Sequence, residues 1–250
     1  MKSAETPAPR RYRELDSAEI VATVERLQAR IVERFSDSSL ARVCAELLQT
    51  SQEIAELALW IRRPQLAFRV TSGALMLVLL AAIVGGVSRI NVRVGADTVP
   101  ELLQGLEAGV NDVVFIGLAV YFLFGWEARR KRTRALRSIH QLRSLAHIVD
   151  MHQLTKDPEG ITNSGARTRS SPQRVMSPFE LTRYLDYCSE MLSLISKAAA
   201  LHVQGFDDPV TLDAVEQIED LTNGLSRKIW QKIMILDRMI SPAVTGGPSV

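Results

Sequence analysis

Hydrophobic and polar positions alternate along this chain with helical rhythm. Ile20, Val24, Leu27, Ile31 and Phe35 recur at spacings of three and four, which sets them on one face of an α-helix starting at Asp16 or Ser17. The Ser36–Ser39 stretch (SDSS) breaks that helix and offers the next cap. Leu40, Val43, Leu47, Ser51, Ile54, Ala58 and Ile61 then fall on one face of a second helix. The two predict an antiparallel helical hairpin within 17–69. Further on, Ala135, Ile139, Leu142, Ala146 and Val149 mark a helix over 127–156. Leu181, Leu185, Cys188, Leu192, Ile195, Ala199 and His202 mark another over 178–204. A GFDDP turn follows, with Asp208 as cap and Pro209 in the first helical turn. Val215, Ile218, Leu221, Leu225, Ile229, Ile233, Leu236 and Ile240 complete a C-terminal hairpin over 178–240, with a kink expected at Asn223-Gly224. An alternating pattern occurs only at Ile90, Val92 and Val94, a short extended segment.

Two stretches are apolar on every face. Val70 to Ser88 holds 19 residues without a charge, bounded by Arg69 and Arg89. As a helix it would be roughly 28 Å long, close to the hydrocarbon thickness of a bilayer. The second run, Val113 to Trp126, has 14 uncharged residues between Asp112 and Glu127, roughly 21 Å and too short alone. An earlier start repairs it: Asp97 or Thr98 caps, Pro100 suits the first turn, and Leu102, Leu103, Leu106 and Val110 lead in. The predicted fold class is therefore all-α, a two-helix transmembrane hairpin carrying a cytoplasmic coiled-coil-like helical bundle. Its spans are 70–90 and 108–126, joined by an external loop over 91–107. Residues 127–156 form a basic juxtamembrane helix and 157–177 a Gly-, Ser- and Arg-rich linker. Residues 1–16 and 241–250 are polar tails of disordered composition.

Charge orients the hairpin. The net charge is only +2, so no partner class follows from the total. Its distribution is informative: Arg62, Arg63 and Arg69 precede the first span, and Arg129, Arg130, Lys131, Arg132, Arg134 and Arg137 follow the second. Basic residues stay on the cytoplasmic side. Both termini are thus expected in the cytoplasm, with two spans in the cell inner membrane. The polar N-terminus shows no cleavable leader, so the first span is read as a retained anchor. The basic cluster also suits anionic lipid headgroups, and its position beside a span favours lipid over nucleic acid.

Candidate chemistry is sparse. Cys44 and Cys188 lack paired spacing and read as buried free thiols in a reducing compartment. His140, His147, Asp150 and His152 are the densest group of metal-ligating types. His140 and His147, seven residues apart, lie roughly 10.5 Å apart along a helix, too far to share a zinc ion. His147 and Asp150 could share one; His152 points elsewhere. Nucleophile-elbow and phosphate-loop motifs do not occur in the sequence. No catalytic residue, metal site or cofactor is assigned. Asp112 and Glu107, beside Asn111 at the outer end of the second span, are candidate ion-handling groups because ionisable residues at membrane depth are often functional. Trp230 lies one step off the apolar stripe beside Ile229. It reads first as core, and second as the centre of a partner interface with Ile229 and Ile233.

At His147–Pro158 (HIVDMHQLTKDP) and Leu225–Leu236 (LSRKIWQKIMIL) the chain resembles a group of uncharacterised bacterial two-pass membrane proteins, over most of its length from the spans onward. The resemblance implies a location and no activity. The layout is also similar to that of the mitochondrial calcium uniporter, with helical segments flanking two spans. The Trp-Asp-x-x-Glu-Pro pore motif of that family is replaced here by GLEAGVNDVVF (Gly105–Phe115), so the function is not carried over. The leading expectation is a non-enzymatic membrane-anchored scaffold or interaction protein. Its partners would be the lipid bilayer and either another protein or further copies of itself. An oligomeric ion channel or sensor is the alternative, and a membrane-bound metallohydrolase the second alternative.

Overall fold

The computed structural model describes residues 14–62, 99–156 and 176–240, with Val70, Gly73, Ala74, 76–78, Ala81 and Arg169, and within 99–126 only part of the side chains. Most of the expected first span and of the linker, residues 91–98 of the external loop with the segment Ile90–Val94, and most of both tails lie outside these residues. Five helices are described: α1 (Ser17–Arg34), α2 (Ser39–Arg62), α3 (Val99–Leu154), α4 (Pro178–Ala200) and α5 (Pro209–Ile240). The fold is all-α. The expected transmembrane hairpin and coiled-coil character are not shown, and among the described residues no helix is long and apolar enough to cross a membrane.

The chain divides into two compact units, Met1–Arg62 with Ala135–Val250, and Arg63–Arg134. The first is a helical bundle around one hydrophobic cluster, drawing on α1, α2, the Ala135–Leu154 part of α3, α4 and α5. Cross-helix contacts fix the helix directions. Phe35, which closes α1, packs edge-on against Tyr184 and Tyr187 near the start of α4, at centroid distances of 5.7 and 6.3 Å. Arg62, ending α2, donates from Nε to the carbonyl of Gln204 just past α4, at 3.1 Å. On α3, Arg143 donates to Gln217 of α5 at 2.7 Å, and the Gln153 carbonyl accepts from Lys232 of α5 at 2.8 Å. Hence α1, α3 and α5 run one way and α2 and α4 the other. Ala135 lies eight residues before Arg143, as Pro209 lies eight before Gln217. Arg62 and Ala135 therefore both lie at the end of the bundle that carries the α4–α5 turn.

Local sequence explains the starts of α1, α2, α4 and α5. The Asp16 side chain accepts from the Ala18 amide at 2.9 Å, and Ser38 Oγ from the Ala41 amide at 3.1 Å. Ser177 and Glu180 form a reciprocal capping box with Pro178 in the first turn of α4. Hydrogen bonds from the Ser177 backbone and hydroxyl hold the Glu180 carboxyl below its ordinary range. Asp208 accepts from the Thr211 amide and hydroxyl at 3.0 and 2.8 Å. Such caps contribute about 1 kcal/mol each by satisfying orphan amides.

Helix α4 has the widest buried face. The predicted stripe of Leu181, Leu185, Cys188, Leu192 and Ile195 is joined by Tyr184, Tyr187, Met191, Leu194 and Ala198. A helix packed against α1, α2 and α5 at once needs more than one seam. It ends at Ala200, short of the expected 204, in a turn closed by Gly205 at φ +90°, where only glycine is unstrained. Helix α5 continues without a break across Asn223-Gly224. Cys44 and Cys188 are buried free thiols, each pushed up to about 12 by burial.

His202, in that turn, is fully buried, with Nδ1 3.1 Å from the Ala199 carbonyl and Nε2 without a hydrogen-bond partner. Burial holds the imidazole below its ordinary value of 6.5. The unfolded chain binds this proton more readily, so the contribution is complete above about 6.5 and lost as pH falls through the lower folded value. Denaturant titrations at pH 7.5 and pH 5 should show lower stability at pH 5. His202→Leu should shrink that difference; an unchanged difference would remove His202 as its source.

Candidate interaction surface

Where the start of α4 meets the end of α5, apolar side chains face outward. Trp230 is 58% exposed, Phe179 59%, Met234 48% and Ile240 52%. The helical register dictates this. Ile229 sits at full burial in the core, and the next residue is turned about 100° away from it. Trp230 is thus a surface residue, which corrects the reading that put it first in the core. Ile229 is sealed beneath, so of the expected interface trio only Trp230 and the half-buried Ile233 reach the surface.

Trp230 and Ile233 form a ridge between two grooves. One, of about 580 Å³, has Pro178, Phe179, Thr182, Met234 and Asp237 among its lining residues. The other, of about 320 Å³, is lined by Asp186, Ser189, Glu190 and Ser193 besides the shared ridge. Both expose mainly apolar surface, and the second also carries acidic and serine side chains of α4 along one wall. Charged pairs border them. Arg30 of α1 makes a bidentate pair with Glu190, and its guanidinium lies 5.7 Å from the centre of the Tyr187 ring. The hydrogen bond to Glu190 raises the Arg30 pKa above its ordinary value. Arg183 pairs with Asp186 at 2.7 Å; burial nonetheless pushes the Asp186 carboxyl up, against the opposing pull of Arg183. Arg34 stacks on Phe179 at 5.4 Å. These pairs are part-exposed and contribute little stability. Their effect is to hold a polar rim around an apolar centre.

The other candidate groups are dispersed. His140 and His147 are exposed. Asp150 accepts from Gln153 at 2.6 Å, and His152 Nδ1 lies 2.8 Å from the Ile148 carbonyl. Among the described residues no three His, Cys, Asp or Glu side chains gather in a metal-holding group. Of the basic cluster, Arg129, Arg130, Arg134 and Arg137 are exposed, and Arg132 is half-buried. Lys131 departs from the expectation of a headgroup contact: it is buried and paired with Glu127 at 2.9 Å, one helical turn earlier. Glu107 is exposed, while the side chain of Asp112 lies outside the described set.

The fold and this surface define an all-helical bundle with an exposed apolar patch. No protein family, curated protein or solved structure matches the chain.

Proposed function

We propose that this chain is a non-enzymatic, membrane-anchored helical scaffold. Residues 63–134 seat it in the bacterial inner membrane, and its bundle docks other proteins or further copies of itself in the cytoplasm. The observation that carries the reading lies on α3. Val110, Val113, Val114, Phe115, Leu118, Tyr121, Phe122 and Trp126 are all exposed, Phe115 at 70%. Val113, Val114 and Phe115 are consecutive, so exposed apolar side chains cover about 200° of the helix circumference. An amphipathic helix lying on a core hides one face. A girdle apolar on more than one face calls for an apolar environment.

Two further features support an anchor. Trp126 stands beside Arg129 and Arg130, and the Arg129 guanidinium lies 5.4 Å from the Phe122 ring centre. Aromatic and basic residues together mark the headgroup boundary of a span. Arg62 and Ala135, where the chain leaves and rejoins the bundle, lie at the same end of it. A membrane hairpin inserted into a cytoplasmic bundle needs that arrangement. Ion conduction through Glu107 and Asp112, or hydrolysis by metal held at His147 and Asp150, rests on the sequence alone.

Orientation gives the test. In sealed spheroplasts, external protease should leave epitope tags at both termini intact, and permeabilisation should expose both. Loss of either tag before permeabilisation contradicts the proposed topology.

A further inference from the structure

We infer that the α5 surface around Trp230 takes a second copy of this chain, the two α5 helices lying antiparallel. This deepens the docking part of the proposed function, on which it rests, and is independent of the lipid anchor.

Arg227, Trp230, Met234 and Asp237 are all exposed. Their spacings of three, four and three residues align them as one seam on the outer face of α5. The seam is complementary to itself. Arg227 and Asp237 lie five residues on either side of position 232, and Trp230 and Met234 lie two on either side. A two-fold axis level with that position sets Arg227 against the partner's Asp237, and Trp230 against the partner's Met234. Symmetry repeats each pairing, as an isologous interface requires.

Antiparallel order follows from the charges. A parallel pairing in register would oppose arginine to arginine and aspartate to aspartate, which is repulsive. The charges sit about 15 Å apart along the helix, at the two ends of the seam. The Trp230–Met234 layers between them would be dry, with thioether sulfur against indole. Arg227 and Asp237 carry no hydrogen bond or ion pair among the described residues, so each charge is available to a partner. The 580 Å³ groove alongside, flanked by Phe179, gives the partner's apolar side chains a place to enter. Tryptophan at the centre of such a patch is a frequent affinity anchor.

The test uses the full-length chain in detergent, with dimerisation followed by sedimentation. R227D and D237R should each weaken self-association at least ~10-fold, since each places like charges opposite one another twice. Mixing the two variants should restore association, because a mixed pair again opposes aspartate to arginine at both ends. The double variant R227D/D237R should restore it as well. These exposed positions leave the helical signal unchanged, which circular dichroism checks. Self-association indifferent to all these changes overturns the proposal.

In native membranes, Gln231→Cys carrying a thiol-linked photo-crosslinker tells the occupants apart, because Cys44 and Cys188 are buried. A product of twice the 27.8 kDa chain mass supports the second copy. A product with a different protein overturns self-docking and leaves the docking function standing. No product overturns both.

Discussion

Leu185→Ala should cost the bundle about 2–5 kcal/mol, the range for truncating a fully enclosed leucine. Leu185 is completely buried in the second position of the α4 stripe, and α4 packs against α1, α2 and α5. The hydrophobic cluster it belongs to draws on all five described helices, so the cavity left behind is not closed by moving one element. Trp230→Ala removes a far larger side chain, yet should cost under about 1 kcal/mol because it opens no cavity. Equilibrium denaturation of the full-length chain in mild detergent measures both. The reverse order, with Trp230 the costlier loss, would contradict the placement of the core.

That contrast shows how much of the fold could be read from sequence. The α1 stripe, Ile20, Val24, Leu27 and Ile31, is the buried face of the helix, because a three-four spacing admits one geometry. The caps at Asp16 and Asp208 were equally legible, since each side chain has one local task, whereas Ser177, read as the end of the linker, caps α4. Trp230 was not. One residue separates it from Ile229, and hydrophobicity gives it the character of core while the 100° step turns it outward. Tyr184, Tyr187 and Met191 were missed as core because a single stripe describes a helix with one neighbour, and α4 has several. The pairing of Arg30 with Glu190 spans 160 residues, and no local pattern encodes it. Lys131 was misplaced because the i,i+4 pairing that ties it to Glu127 does not reveal burial. The interaction surface was half legible: its aromatic centre was visible as an oddity, but its grooves exist only once α4 lies beside α5.

Leu118→Arg should release a large share of the chain from the membrane. A basic residue at the centre of a span costs about 2.5–3.5 kcal/mol on insertion. Leu118 is exposed in the middle of the apolar girdle, flanked by Phe115 and Tyr121 on neighbouring turns. Leu118 belongs to the unit Arg63–Arg134 and not to the bundle, so denaturation of the bundle helices should be unchanged. An equal amount of the variant and the parent in the membrane fraction, with equal resistance to alkaline extraction, would remove the girdle as an anchor.

The parent chain in that same fractionation decides the central claim, that lipid covers the apolar girdle of α3. After cell lysis, high-speed sedimentation and an alkaline carbonate wash, the full-length chain should remain in the membrane pellet and leave it only with detergent. Recovery of the folded chain in the supernatant without detergent would contradict the account.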